Sequence, residues 1–225
     1  MSVWIIFGFF VLLSWLVSSQ LTSKFKAFSK IPVANGMSGK EVAQKMLYDN
    51  GITDVRVLSA EGSLSDHYNP VNKTINLSRE VYEGRNVAAA AVAAHECGHA
   101  VQHATAYHWL QLRSTLVPIV SFSSKWVQWV LLAGILLLQT FPQLLLIGIV
   151  LFAMTTLFSF VTLPVEINAS RRALVWLNNG GITDYNTHPK AQEALRWAAY
   201  TYVVAALSSL ATLLYYIAIF TGGRK

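Results

Sequence analysis

The chain is short of charge and nearly without cysteine. Only 12% of its 225 residues are Asp, Glu, Lys or Arg, about half the share in an ordinary soluble domain, and so low a charge excludes a disordered, solvated chain. The single cysteine, Cys97, cannot pair within the chain, which excludes a disulfide framework. Charge is missing altogether from residues 1–23, 126–165 and 197–223. Uncharged runs of that length are hard to place in a soluble fold and easy to place in a lipid bilayer. No Lys or Arg precedes the first apolar run, so the positive leader of a cleaved signal peptide is also lacking. Seventeen Lys and Arg against eleven Asp and Glu read as membrane orientation. No nucleic-acid motif accompanies this excess, and no nucleic-acid partner is expected.

Four spans follow from the uncharged runs. Val3–Ser19 is long enough to cross a hydrocarbon core at 1.5 Å per residue. Lys24, Lys26 and Lys30 come directly after it, which places the N-terminus outside and residue 24 onward in the cytoplasm. Trp126–Leu163 is too long for one span, and Gln139, Thr140, Pro142 and Gln143 near its middle read as the tip of a helical hairpin spanning near 118–139 and 142–162. The last span, Ala198–Phe220, carries Tyr200, Tyr202, Tyr215 and Tyr216 near its ends, as interfacial anchors do. Arg224 and Lys225 then fall outside, against the positive-inside rule.

Residues 24–113, with ten basic and eight acidic side chains, have the composition of a small polar domain. Ser38-Gly-Lys-Glu41 has the form of a capping box and opens a helix that ends at Asp49-Asn-Gly51, where Gly51 suits a left-handed position. Strands are expected around Thr53–Leu58 and Lys73–Leu77, and a turn or short helix over 78–84. From Val87 to His103 the alanine-rich sequence predicts one long helix with a slim profile.

That helix carries His95-Glu-Cys-Gly-His99. Residues four apart share a helix face, so the two imidazoles can bind one zinc ion. Glu96, turned about 100° away, borders the ion without ligating it and can act as general base toward a zinc-activated water. A catalytic zinc needs a third protein ligand. His103 lies about 12 Å along the helix from His95, too far to share the ion, and is expected to hydrogen-bond nearby; Cys97 faces away and reads as packing. Glu166 is the better candidate. It follows Pro164, read as a helix start, and Ala169 and Ala173 would let that helix pack closely on the histidine helix. Two crossings separate the His pair from Glu166, so the chain returns all three residues to one side. A membrane adaptor with a structural metal is the competing reading, but such a site needs no base beside an open coordination position. A channel is disfavoured because the spans contain almost no ionisable residues.

Gly84-Arg-Asn-Val-Ala-Ala-Ala-Ala-Val-Ala-Ala-His-Glu-Cys-Gly-His-Ala-Val-Gln-His103, preceded by Asp66-His-Tyr-Asn-Pro70, resembles the YugP-type neutral zinc metallopeptidases of bacterial membranes. The likeness continues through Leu163-Pro-Val-Glu-Ile-Asn-Ala-Ser-Arg-Arg-Ala173 and Ala198–Ala206. It implies a gluzincin-like site with His95, His99 and Glu166 on one zinc ion and Glu96 as base, in the cytoplasmic membrane. More distantly the layout is similar to HtpX-type membrane proteases, where an Asp stands at the position of Ser170, so support for a zinc-bound histidine is expected to come from elsewhere or to be weaker here. The expectation is therefore a mainly α membrane protein: a transmembrane helix over 1–23, a small α+β zincin-like cytoplasmic domain over 24–113, a transmembrane hairpin over 114–163, a cytoplasmic helix with the third ligand over 164–196, and a last transmembrane helix and tail over 197–225. Its partners would be a polypeptide substrate and the lipid bilayer. His67, Tyr68, Arg172 and His188 are candidates for substrate or transition-state support. For His67 this includes an edge strand near Lys73–Leu77 that pairs with a peptide, against a plain sheet strand with a turn histidine. Arg171 and Arg172 also read as topology determinants, and His188 as a helix-start element.

Overall fold

The computed structural model describes residues 3–62 and 65–222. Arg224 and Lys225 lie outside the described residues. The elements run in the order α1 (Val3–Phe28), α2 (Gly39–Asp49), β1 (Arg56–Ala60), β2 (His67–Asn69), β3 (Thr74–Ser78), α3 (Arg79–Glu83), α4 (Val87–Ala104), α5 (His108–Leu136), α6 (Pro142–Asn179) and α7 (His188–Gly222). Among the described residues, four helices are long and apolar enough to cross a membrane: α1, α5, α6 and α7. The protein is thus mainly helical, with a small three-stranded sheet.

The chain divides into two compact units. The first comprises residues 1–15, 111–164 and 201–225. Within it α5 and α6 form a hairpin whose turn closes with the Phe141 N–H donating to the Leu137 carbonyl at 2.7 Å. Their contact is tight: a Cβ on Gly134 would lie 2.6 Å from the Leu145 Cα. Val127, Leu131, Leu145 and Ile149 fill the seam. Large apolar side chains such as Phe7, Trp15, Phe122, Trp129 and Ile147 are left exposed. This is costly in water and natural in hydrocarbon.

The second unit comprises residues 16–110 and 165–200. Its sheet has the order β1-β3-β2, with β1 parallel and β2 antiparallel to β3. β3 is the central strand, and its Ile75 and Leu77 are fully buried beside Val42, Ala43 and Met46 of α2 and the alanines of α4. The peptide-pairing strand expected around Lys73–Leu77 therefore has partners on both sides; the edge next to α4 is β2, whose three residues are too few for a periodic sequence signal. The hairpin between β2 and β3 is shaped by Asn69, whose side-chain oxygen accepts from the N–H groups of Val71 and Asn72.

Helix starts follow the local chemistry. Ser38 and Glu41 form the reciprocal capping box of α2. Asn86 caps α4 by accepting from the Ala89 N–H at 2.9 Å. Gly51, just after α2, has φ of 69°, a left-handed conformation that costs glycine little. Pro164 departs from the sequence reading: it lies inside α6 and starts no helix. Lacking an N–H, it cannot bond the Phe160 carbonyl, a defect that long apolar helices tolerate.

Candidate metal centre

The site is built where α4 meets the second half of α6, inside the second unit. Six alanines of α4 between 88 and 94 are almost completely buried, so the helix packs backbone-close to its neighbours on most sides. At Gly98 this closeness is extreme: an added Cβ would lie 2.6 Å from the Ala169 carbonyl oxygen and 3.0 Å from its Cα. Ala169 and Ala173 are themselves fully buried, in keeping with the slim α6 face that the sequence suggests. Gly98→Val should therefore push α4 and α6 apart. The expected cost is about 1–3 kcal/mol of stability for overpacking, together with weaker metal binding, measured by thermal unfolding and zinc titration; wild-type values for both would show that the close approach is dispensable.

Beside this contact, three donors converge. Glu166 Oε2 lies 3.3 Å from His95 Nε2 and 3.6 Å from His99 Nε2, and one ligand atom from each residue falls within 4.8 Å of the others. The two imidazole rings meet edge to face, with centroids 4.8 Å apart. Tetrahedral zinc, with bonds of about 2.0–2.1 Å, holds its donors roughly 3.4 Å apart. Two imidazole nitrogens and one carboxylate oxygen at these separations fit such an ion in both number and chemistry. The electrostatics agree. Burial alone would push the His99 pKa down, but hydrogen bonding to Glu166 and the negative charges of Glu96 and Glu166 outweigh it, and the imidazole sits above its ordinary value. The pocket favours positive charge.

Glu96 borders the cluster and is 8% exposed. Its Oε2 accepts a hydrogen bond from the Tyr68 N–H of β2 at 2.9 Å, so the outward-facing donor of the edge strand holds this carboxylate. Asp66, just before β2, is also drawn in: Ser78 donates to its carboxylate from both N–H and hydroxyl. Burial raises the Asp66 pKa, against the lowering effect of those bonds, with the charge of Glu96 adding to the rise.

The histidine nitrogens that face away from Glu166 also have partners. Ser170 Oγ lies 3.1 Å from His95 Nδ1, so the residue at the HtpX-type aspartate position does reach the histidine, but with a neutral hydroxyl. Gln102 Oε1 lies 3.1 Å from His99 Nδ1. Gln102 is fully buried, and its amide donates to the Val165 carbonyl at 2.8 Å and to Asn168 Oδ1 at 3.0 Å. Neither Gly98 nor Gln102 is singled out by the sequence reading. The signal was there for Gln102, which stands three residues after His99 on the same helix face.

The side chains of the remaining candidates have polar partners of their own. His67 points its Nδ1 at the Ser65 carbonyl and its Nε2 at the Asn76 amide, both close to the sheet. The Tyr68 hydroxyl lies 2.8 Å from His103 Nδ1, the local hydrogen bond expected of His103. Arg172 donates from Nε to Asn168 Oδ1 at 2.8 Å and stacks over the Tyr107 ring. His188 begins α7 with Nδ1 2.9 Å from Thr183 Oγ1, a helix-start arrangement. Cys97 is buried, with Sγ directed at the Ala43 carbonyl, and burial pushes its thiol pKa well up, which makes it a packing residue.

Comparison with known proteins agrees with this chemistry. The chain is 40% identical over 212 residues to the "Putative membrane protease YugP" of Bacillus subtilis (strain 168), covering 94% of this chain and 93% of that protein. No solved structure matches it. The family described as "Putative neutral zinc metallopeptidase" matches residues 3–221. With nearly every residue inside that match and a zinc-compatible donor set at its centre, the chain belongs to this neutral zinc metallopeptidase family.

Proposed function

We propose that the protein is a membrane-embedded zinc endopeptidase of gluzincin type, with His95, His99 and Glu166 holding the ion and Glu96 serving as general base. The observation that carries this reading is the convergence of the three donors with a fourth, non-ligating carboxylate held beside them by the Tyr68 N–H. A zinc ion bound there supplies Lewis acidity, polarising a peptide carbonyl and making water acidic enough to attack it at neutral pH. Glu96 takes the proton from the attacking water and passes it to the leaving amine. Tyr68 positions that carboxylate through its backbone. A purely structural metal site has no use for such a base.

The polar unit, a zincin-like domain in this reading, faces the cytoplasm of a bacterial inner membrane. Lys24, Lys26 and Lys30 directly after the first apolar run support that side. Substrates are then membrane or cytosolic polypeptides. A reporter fused after residue 30 should give a cytoplasmic signal, and an external signal would overturn the orientation.

The activity is tested on purified, detergent-solubilised protein. It should contain about one zinc per chain and cleave a denatured model protein internally. A chelator should abolish cleavage and added zinc restore it. Cleavage that persists in the chelated, zinc-free protein would rule the mechanism out.

A further inference from the structure

The chemistry around His99 leaves little freedom in how its ring is protonated. Arg172 has only donors, and its Nε donates to Asn168 at 2.8 Å; the Asn168 atom it meets must be the oxygen. Gln102 approaches that same oxygen at 3.0 Å and the Val165 carbonyl at 2.8 Å. Both are acceptors, so the Gln102 nitrogen faces them and spends its two protons there. Its oxygen is left facing His99 at 3.1 Å. An oxygen without a proton can only accept, so His99 Nδ1 carries a hydrogen, which leaves Nε2, on the Glu166 side, as the nitrogen available to a metal ion. The Ser170 hydroxyl beside His95 imposes no such choice, because it can donate or accept.

We propose that Gln102 is a positioning residue for the zinc site, one buried amide that fixes the tautomer of His99 and anchors the α6 backbone at Val165, the residue before Glu166. It thereby orients two of the three ligands at once. The inference rests on the metal-site reading above and goes beyond it in giving Gln102, with Asn168 and Arg172 behind it, a role in metal affinity. Groups that orient a zinc-bound imidazole typically contribute 10–100-fold to affinity. A Gln102 that merely packed the core would contribute to folding alone.

Zinc affinity of the full-length protein in detergent, measured by competition with a chromogenic chelator, separates these roles. Gln102→Leu removes the acceptor at His99 and the donors to α6, and should weaken zinc binding about 10–100-fold. Gln102→Glu keeps an acceptor toward Nδ1 but loses the amide donors to Val165 and Asn168, so it should recover only the part of the loss that belongs to His99. Wild-type affinity in Gln102→Leu would overturn the proposal. Ring nitrogen shifts of histidine-labelled, metal-free wild type provide a readout that survives any misfolding of the variants. His99 should show a protonated Nδ1, and a neutral ring protonated at Nε2 would also overturn it. If wild type and Glu166→Ala alike fail to bind zinc, the metal-site reading fails, while the tautomer measurement still decides the hydrogen-bond assignment.

Discussion

Glu96→Gln should leave zinc bound and stop turnover. The amide is nearly isosteric with the carboxylate, and its oxygen can still accept from the Tyr68 N–H that now lies 2.9 Å from Oε2, so the local structure has no reason to rearrange. The side chain is not among the three converging donors, so metal content should stay at the wild-type value. What disappears is a group able to receive a proton. General-base contributions are on the order of 10²–10⁴-fold, equivalent to about 3–5 kcal/mol of transition-state stabilisation, and the loss should fall on kcat with little change in KM. Metal analysis and cleavage of a model substrate, done on the same preparation, give the answer. Unchanged cleavage would end the assignment of Glu96 as base, and loss of zinc in this variant would show that its carboxylate holds the ion.

The distribution of charge made the long helices legible, because a bilayer selects apolar side chains over about 20 consecutive residues, and residues 126–165 hold not a single charge. Capping chemistry was equally legible: Ser38, Glu41 and Asn86 act through backbone groups within three residues of themselves. Positions 95 and 99 could be paired from helical period alone, and Glu166 was the candidate from its place after Pro164, with the expected hairpin returning the chain to the side of the two histidines. Other features depend on distances between segments remote in sequence. The three residues of β2 become a strand only through pairing with β3. Gly98 reads as an ordinary helix glycine until Ala169, seventy-one residues later, is found against it. Pro164 looks like a helix start because local propensity says so, but the segments on both sides continue one helix. His67, a candidate for substrate support or a plain turn histidine by sequence, has two polar neighbours close by in the sheet.

Glu166→Ala separates the two glutamates of the site most sharply. Glu166 is 3% exposed and brings one oxygen to within 3.6 Å of both histidines, so its removal takes away the proposed third ligand and the only negative charge among the three converging groups. Two imidazoles on one helix remain, a set one protein ligand short of a catalytic zinc site. The loss in affinity should therefore exceed the roughly 10–100-fold expected from removing a supporting group, and turnover should fall with it. Thermal unfolding gives a second readout that does not depend on activity. A ligand that binds only the folded state at 100 times its Kd stabilises it by about 2.7 kcal/mol, so zinc should raise the Tm of the chelated wild-type protein and leave that of Glu166→Ala where it was. Glu96→Gln should show the full wild-type shift. A zinc-dependent rise in Glu166→Ala as large as in wild type would mean that the ion is held without this residue; the helical hairpin that carries the chain back to α4 would then have to be explained by something other than delivery of a ligand.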